Sequence, residues 1–333
     1  MRVALDATPL TLSSGGLSRY TLELSRALSA QFPEDEFHLA PPAPGRWWLW
    51  GVQREMSRLR ADVFHGTNFE VPYLPTLPSV LSLHDLSPWM DRRWHHAADR
   101  VRRRTPLLIG LGIATMIVTD SQAVRKQAIE RFGVNPDRIV AIPLAASARF
   151  GPVRGAAPAR PFFLYVGALE PRKNIPFLVD AWRPVHDRYG VELVLAGRRR
   201  EDFPGLTDAP GLRILGETPD DELPALYSQA LAFVYPSLYE GFGLPVLEAM
   251  QCGACVLTST DQSLGEVAGD AGARLDPRDG RAWTEALLAC AAGGDWLERR
   301  RESSLARARE FSWERTARLT REVYEQARRR FHG

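Results

Sequence analysis

The sequence has little lysine and little cysteine, and both shortages limit what it encodes. Among its 333 residues the only lysines are Lys126 and Lys173, so nearly all positive charge comes from arginine and a retained lysine is informative. Three cysteines, Cys252, Cys255 and Cys290, give no disulfide framework. The Cys-x-x-Cys pair is followed by no second ligand pair, so we interpret these cysteines as buried small residues rather than as a redox or zinc site.

A long hydrophobic run and a strong net charge are also missing. The uncharged stretch Thr105 to Thr119 is shorter than the roughly 20 residues that a membrane span needs. The N-terminus begins with the strand-like residues Val3 to Leu5 rather than with a signal peptide. A formal net charge of +2 argues against an unselective nucleic-acid binder. We therefore expect a soluble, cytoplasmic protein without a nucleic-acid partner.

Short apolar runs alternate with helical patterns along the whole chain, which is typical of parallel sheets built from strand-helix units. The predicted strands are Val3–Leu5, Val63–Phe64, Val80–Leu83, Met116–Thr119 and Ile139–Ile142 in the first half, and Phe162–Val166, Val191–Ala196, Arg213–Leu215, Ala230–Tyr235 and Cys255–Thr258 in the second. The pattern predicts an α/β protein with two Rossmann-like, doubly wound domains.

Proline and glycine mark the boundary between the two predicted domains. Residues 151–161 contain too many of both to form the interior of a helix or strand, so this segment predicts a linker. It separates a domain of residues 1–150 from a domain of residues 162–311. Residues 312–333 follow as a charged segment whose apolar residues are spaced for one face of a helix.

The stretch from Glu240 to Met250 carries the most information about function. It follows the apolar run 230–235 directly and predicts a strand that leads into a glycine-rich loop and then a helix with Pro245 in its first turn. Open α/β sheets bind ligands at such carboxyl ends of strands. Carboxylates at both ends of the loop, Glu240 and Glu248, accept bonds from hydroxyls of a sugar or a ribose. The alternative is an ordinary turn with two surface glutamates.

A second loop carries two adjacent cations, Arg172 and Lys173, shortly after the predicted strand that ends at Val166. Cations at the carboxyl end of a strand are costly to desolvate without an anion, and a diphosphate suits an arginine fork beside a lysine point charge. A solvated basic turn is the alternative.

The first domain has two weaker candidates, Gly16 and His84. Gly15 and Gly16 precede a predicted helix, where unpaired N–H groups and the helix dipole favour an anion, although a plain tight turn explains them equally well. His84 ends the strand 80–83, where its ring can bond sugar hydroxyls or only satisfy loop carbonyls. His65 is a similar candidate with less support.

The two glutamates, with seven residues between them, resemble the Glu-x7-Glu signature of retaining glycosyltransferases of family 4. The resemblance extends through most of the chain and implies the GT-B fold, two Rossmann-like domains facing across a cleft, with the last helix crossing back to the first domain. It implies transfer of a sugar from a nucleotide-diphosphate sugar on the second domain to a glycan or lipid-linked acceptor on the first. The donor phosphate oxygen then takes the acceptor proton, without a protein nucleophile.

The resemblance also assigns residues. Glu240 would hold the transferred sugar, Glu248 the ribose, and Arg172 and Lys173 the diphosphate, although Ala168 stands where many family members have arginine. The implied catalytic residues are Glu240, His84, Lys173 and Arg172. The implied donor-binding residues are Gly16, Arg172, Lys173, Glu240, Gly241, Phe242, Gly243, Leu244 and Glu248.

No Asp-x-Asp metal motif is evident, and the cations with a helix N-terminus are enough to neutralise a leaving diphosphate, so we expect neither a metal nor a cofactor. Tryptophans in residues 46–50 and arginines in residues 92–104 suit peripheral contact with the inner face of a membrane, and a solvated helix face with core tryptophans explains them about as well. The resemblance favours cell-surface polysaccharide or glycolipid assembly. A phosphorylase, a nucleotide-sugar epimerase and a non-catalytic binding relative stay open as alternatives.

Overall fold

The computed structural model describes residues 1–12, 15–42, 46–96, 98–155, 158–201, 203, 205, 206 and 209–331. The chain divides into two compact units, one of Met1–Ala145 with Ser312–Gly333 and the other of Ala146–Phe311. The division precedes the predicted linker by a few residues, so the described part of residues 151–161 is counted with the second unit. Residues 156 and 157 of that segment lie outside the described residues.

The first unit is built on a six-stranded parallel sheet with the order β2-β1-β3-β4-β5-β6. The chain places β2 on one side of β1 and β3 on the other, so the strand order reverses between β1 and β3. Its strands are β1 (Arg2–Asp6), β2 (Glu36–Ala40), β3 (Val63–Gly66), β4 (Ser79–Leu83), β5 (Met116–Thr119) and β6 (Ile139–Ala141). Its helices are α1 (Pro9–Leu12), α2 (Gly16–Gln31), α3 (Val52–Leu59), α4 (Ser87–Met90), α5 (Asp99–Gly110) and α6 (Gln122–Phe132).

The second unit repeats this plan with a sheet of order β12-β11-β10-β7-β8-β9, also parallel. Here the strand order reverses between β7 and β10. The strands are β7 (Phe162–Val166), β8 (Glu192–Ala196), β9 (Leu212–Gly216), β10 (Ala232–Tyr235), β11 (Val256–Ser259) and β12 (Ala273–Leu275). The helices are α7 (Ile175–Tyr189), α8 (Leu223–Gln229), α9 (Leu244–Gln251), α10 (Gln262–Ala268), α11 (Gly280–Ala292) and α12 (Asp295–Ala308).

The last helix, α13 (Trp313–Arg330), belongs to the first unit. Ser312 caps it by accepting a bond from the backbone N–H of Arg315 at 3.2 Å. Its apolar face is buried through Ala317 and Tyr324, and the Tyr324 hydroxyl lies 2.7 Å from Nδ1 of His65 on β3. None of the helices in the described part of the chain is long and apolar enough to cross a membrane.

These sheets confirm the predicted α/β class with two doubly wound sheets. Strands such as β5 and β7 are buried along their whole length, and helices cover both faces of a parallel sheet, so these strands appear in the sequence as continuous apolar runs. The prediction missed β2 and β12. Both are edge strands with partly exposed residues, so neither has a continuous run.

Candidate functional site

The candidate site lies at the carboxyl edge of the second sheet, where the strand order reverses. The loop after β7 contains a short 3-10 turn, Pro171–Lys173, and the loop after β10 leads into α9. The backbone N–H of Leu238 donates to the carbonyl of Arg172 at 2.8 Å, which ties the two loops together. The topology therefore brings the two predicted motifs, about 70 residues apart in sequence, to one place.

Lys173 and Glu240 form a buried ion pair at the centre of the site. Their exposed fractions are 5% and 6%, and Nζ of Lys173 donates to Oε1 of Glu240 and, at 2.6 Å, to the hydroxyl of Tyr235. Nη1 of Arg172 donates to the other carboxylate oxygen of Glu240 at 3.0 Å and to the carbonyl of Tyr239 at 2.8 Å. The structure thus brings Arg172, Lys173 and Glu240 together at one edge of the second sheet.

Two residues that the sequence analysis missed extend this network. Glu170 is 5% exposed, lies 2.7 Å from Nε of Arg172, and accepts a bond from Nη1 of Arg200 at 2.6 Å. The ion-paired network therefore holds three cations and two carboxylates. Glu170 stands in the same Glu-Pro-Arg-Lys run as the predicted cations, and Arg200 ends an arginine run after β8, but only the fold brings the two together.

Electrostatics keep Glu240 ionised in spite of its burial. Burial favours the neutral acid, but the charges of Arg172 and Lys173 outweigh it and lower the pKa of Glu240 to about 2. Burial and the neighbouring Arg172 lower the pKa of Lys173, while Glu240 and Glu170 oppose that change. The N–H donors that now bond to Glu240 are the ones an incoming anion would use.

Asp261, at the start of α10, also borders this loop. Its Oδ1 accepts the backbone N–H of Leu264 at 3.0 Å, and its Oδ2 accepts that of Glu240 at 3.4 Å. Burial raises the pKa of Asp261 to about 6. It therefore fixes the backbone of the loop at the residue that carries the central carboxylate.

Gly243 shows why the loop needs glycine before α9. Its φ is +104°, which disfavours any side chain, and a Cβ there would lie 2.4 Å from Cδ2 of Leu264, so that buried side chain would have to move. Gly241 and Phe242 are buried, and Leu244 begins the helix.

Glu248 is buried on α9, with 1% of its surface exposed. Its Oε2 accepts a bond from the hydroxyl of Tyr227 at 3.0 Å. Since Glu240 is buried as well, the alternative of two surface glutamates is wrong.

His84 belongs to the first unit, directly after β4. Its Nδ1 lies 2.8 Å from Oδ2 of Asp120, and its Nε2 lies 2.8 Å from the carbonyl oxygen of Thr67. Burial lowers the pKa of His84, but the charge and hydrogen bond of Asp120 outweigh it and raise that pKa. Both ring nitrogens are thus engaged by protein groups, one of them the loop carbonyl that the sequence analysis kept as an alternative partner.

Gly16 and His65 also lie in the first unit. Gly16 is the first residue of α2, and a Cβ built there meets nothing within 4 Å, so the surrounding fold does not require glycine at this position. His65 is fully buried, with its ring nitrogens 2.7 Å from Tyr324 and 2.8 Å from the hydroxyl of Ser82. Burial lowers the pKa of His65 to about 3, so the ring is neutral and serves packing.

A metal site is not evident in the described residues, which contain no group of three or more His, Cys, Asp or Glu side chains arranged to hold an ion. The three cysteines are all buried and unbridged. The expectation that no metal is needed stays a prediction.

Two sequence families match the chain, one in each half. Residues 14–147 match "Glycosyltransferase Family 4" and residues 160–292 match "Glycosyl transferases group 1". O-antigen chain mannosyltransferase B of Escherichia coli is 38% identical over 284 residues, which cover 79% of this chain and 74% of that protein. The chain belongs to the group 1 glycosyltransferases. This confirms the family that the glutamate spacing indicated.

Further relatives and solved structures are similar to this group 1 glycosyltransferase. The serotype-specific mannosyltransferase WbdA of Escherichia coli is 30% identical over 269 residues, 74% of this chain but only 33% of that longer protein. Sucrose-phosphate synthase of Thermosynechococcus elongatus shares the fold with a TM-score of 0.78 at 18% identity, over 98% of both chains. Anabaena HepE, solved with UDP-glucose, gives 0.77 at 16% identity over 98% of this chain and 100% of its own. These structures confirm the GT-B fold.

Proposed function

We propose that this glycosyltransferase moves a mannosyl residue from a nucleoside-diphosphate mannose to a hydroxyl of a growing cell-surface polysaccharide, with retention of the anomeric configuration. The observation that carries the proposal is the buried Lys173–Glu240 pair with Arg172 at the switch point of the second sheet. The mannosyl group and the pathway are taken from the relatives, two of which are named as O-antigen chain mannosyltransferases.

The donor diphosphate would exchange with Glu240 as the partner of the two cations. Arg172 and Lys173 supply N–H donors that stabilise the negative charge developing on the leaving phosphate. Glu240, once displaced, is free to accept bonds from hydroxyls of the transferred sugar, while Glu248 accepts them from the ribose. Buried and already ionised, Glu240 needs no proton transfer to take up this role.

Retention follows if both bond changes occur on one face of the sugar. The acceptor oxygen forms its bond to the anomeric carbon as the bond from that carbon to the phosphate oxygen breaks, and the acceptor proton passes to that phosphate oxygen. In this mechanism His84 is a positioning residue, because both of its ring nitrogens already bond to protein groups, the carbonyl of Thr67 and the carboxylate of Asp120.

Membrane contact is part of the proposal for a lipid-linked acceptor. Helix α5 and the residue after it expose Leu107 and Leu111, with exposed fractions of 59% and 72%, next to the exposed Arg103 and Arg104. Apolar side chains flanked by arginine suit an anionic lipid surface. Flotation with vesicles of phosphatidylglycerol, and none with phosphatidylcholine, is the expected result, and no flotation with either would remove this part of the proposal.

The test of function begins with thermal unfolding in the presence of GDP, UDP, ADP, TDP and CMP. A nucleotide at about 100 times its dissociation constant stabilises a protein by roughly 2.7 kcal/mol, which moves the transition by several degrees. The mannose conjugate of the best nucleotide is then incubated with octyl α-mannoside, and NMR of the product gives its anomeric configuration. Inversion would exclude the retaining mechanism, and the absence of any nucleotide effect would exclude the donor site.

A further inference from the structure

Asp6, the last residue of β1, has a buried carboxylate oxygen without a hydrogen bond. The side chain is 1% exposed, and its Oδ1 accepts bonds from the backbone N–H of Thr8 at 3.0 Å and from the Thr8 hydroxyl at 2.6 Å. Its Oδ2 has no partner among the residues that the structure describes. Buried polar atoms are almost always paired, so an orphaned carboxylate oxygen calls for a functional explanation.

A second orphaned oxygen lies in the loop after β3, the strand next to β1. Oδ1 of Asn68 is buried and accepts no hydrogen bond from any described residue. Leu5 lies opposite His65 in the sheet, and the Thr67 hydroxyl donates to the backbone carbonyl of Asp6 at 2.7 Å. The segment that carries Asn68 is therefore bonded directly to the residue that carries the first orphan.

The loop Thr67–Glu70 is held in a strained conformation. Phe69 has a φ of +59°, in the left-handed region that side chains other than glycine rarely occupy. A Cβ on Gly66 would lie 1.7 Å from the carbonyl oxygen of Glu70, so the loop folds back tightly on the end of β3. Strain of this kind persists only where the surroundings over-determine it, and it concentrates at functional sites.

Three bonds from other elements fix the loop in place. His84 bonds the Thr67 carbonyl at 2.8 Å, the N–H of Phe69 donates to the Ser82 carbonyl at 3.0 Å, and the Thr105 hydroxyl donates to the Phe69 carbonyl at 3.0 Å. The position of this loop is the switch point between β1 and β3, where an open parallel sheet receives ligands.

We propose that Asp6 and Asn68 form an acceptor subsite in which Oδ2 of Asp6 and Oδ1 of Asn68 accept hydrogen bonds from neighbouring hydroxyls of the acceptor sugar. The proposal rests on the proposed function and adds the residues that recognise the acceptor sugar. Two oxygen acceptors, one of them anionic, select a neutral polyol and reject a phosphate group. Both oxygens are buried among the described residues, so the groups around them must move before a sugar can bond to them.

The charge of Asp6 suits this role. Burial raises its pKa to about 6, with a smaller contribution from nearby Glu70, against the lowering effect of the bonds from Thr8. The carboxylate is therefore mostly ionised at pH 7.5, where it accepts stronger hydrogen bonds than a neutral group does.

Asp6→Asn is the direct test, because it keeps Oδ1 for Thr8 and replaces only the orphaned oxygen. Asp62→Asn is the matched control: Asp62 precedes β3 at the opposite edge of the same sheet, where its Oδ2 accepts the N–H of Arg2 at 2.7 Å. With the mannose donor and octyl α-mannoside, we expect Asp6→Asn to lower kcat/KM for the acceptor at least tenfold and Asp62→Asn to change it less than twofold. The nucleotide-induced thermal shift and the hydrolysis of donor without acceptor stay unchanged in both.

An unchanged acceptor kcat/KM in Asp6→Asn would overturn the proposal. Structural water would then be the hydrogen-bond partner of the orphaned oxygens. If Asp6→Asn does not fold, Asn68→Ser provides the same test through the second oxygen. Should the wild type transfer nothing while still binding a nucleotide, saturation-transfer NMR with methyl α-mannoside measures the subsite without turnover. A signal that Asp6→Asn removes supports the subsite although the proposed function has failed, and a signal equal in both proteins contradicts it.

Discussion

The two sheets have the same topology but present opposite chemistry at their switch points. At the second sheet, buried Lys173 and Arg172 are paired with Glu240, and every charge in the network has an opposite charge beside it. At the first sheet, Asp6 is buried, and one of its oxygens has no partner among the described residues. Both ring nitrogens of His84 are bonded there, one to Asp120 and one to a loop carbonyl. In our proposals one edge receives an anion and the other receives hydroxyl groups, so the same fold plan serves two unlike substrates.

The comparison also separates two ways of keeping a buried charge. Lys173 and Glu240 compensate each other, so the charged state is the stable one without a ligand. Asp6 has no cation beside it among the described residues, and burial raises its pKa to about 6 in spite of the bonds from Thr8, so its charged form is disfavoured. A residue kept at such a cost is a candidate for function, whereas an ion pair is also explained by structure alone.

The largest effect is expected from removing the central cation of the second edge. Lys173→Ala should lower kcat by about 10²–10³, because it removes a donor to the leaving phosphate. It should also destabilise the protein, by up to about 3 kcal/mol, since Glu240 loses one of its two cationic partners while Arg172 stays. Steady-state kinetics and urea unfolding measure the two effects.

The only other lysine is the matched control for this substitution. Lys126 is exposed and lies 3.9 Å from Glu130 on the surface of α6, so Lys126→Ala should change neither activity nor stability measurably. Full activity in Lys173→Ala would remove the donor site from the second edge.

The contributions of Glu240 and Asp6 to stability should depend on pH with opposite signs. The pKa of Glu240 is about 2 in the folded protein against 4.5 ordinarily, so its contribution is complete above pH 4.5 and is lost as the pH falls toward 2. The pKa of Asp6 is about 6 against 3.8, so stability is lost as the pH rises from about 4 through 6. Each pKa shift corresponds to a change of about 3 kcal/mol in the free energy of unfolding across its pH range.

Replacing each acid by its amide separates the contributions of Glu240 and Asp6 to the slope of stability against pH. Asp261 also contributes to this slope, because its pKa is raised to about 6. Asp6→Asn should flatten the decline between pH 4 and 6, and Glu240→Gln should flatten the rise between pH 2 and 4.5. Urea midpoints measured across this range provide the comparison. Identical slopes in Asp6→Asn and wild type would mean that Asp6 is not buried as described.

A smaller effect should come from the glycine before α9. Gly243→Ala places a Cβ against Leu264 at a φ of +104°, and we expect a loss of about 2–3 kcal/mol. Gly190→Ala is the control, because Gly190 also has a positive φ of +66° but open space around it, and only about 1 kcal/mol should be lost. Equal losses would show that the contact with Leu264 relaxes freely.

The smallest effect concerns the support of Glu248. Tyr227→Phe removes one hydrogen bond to a buried carboxylate and should cost about 1–2 kcal/mol of stability. If Glu248 holds the ribose, nucleotide affinity should fall a few-fold with kcat little changed. Isothermal titration with the nucleotide gives the affinity, and a lower kcat at unchanged affinity would point away from a ribose contact.

The sequence was sufficient for the central strands and for locating the two charged loops at the second switch point. Strands buried on both faces are continuous apolar runs, and the two loops at the second switch point each carry their charged residues within a few positions. The edge strand β2 was missed because only its last residue, Ala40, is buried. β2 lacks the apolar run on which the prediction depends, whereas the edge strands β6 and β9 have such a run and were predicted.

Long-range pairing accounts for what the sequence could not indicate. The sequence around His84 does not indicate that it pairs with Asp120, and the sequence around Glu170 does not indicate that it pairs with Arg200. Each pair forms because neighbouring strands of a sheet bring the two residues together. Oδ2 of Asp6 lacks a hydrogen-bond partner among the described residues, and no sequence pattern indicates such an absence. Local spacing identified candidate residues, whereas their protonation and pairing depended on the fold.

The membership of α13 in the first unit has a consequence for synthesis on the ribosome. The residues that complete this unit, from Ser312 onward, are translated only after the whole of the second unit. The second unit is continuous in sequence and has all its residues earlier, so nascent chains should fold it first, against the usual N-terminal-first order. Until the last helix emerges, His65 lacks its bond to Tyr324 and the first sheet lacks a layer of its core, so a nascent chain that stalls there would offer an apolar surface to chaperones.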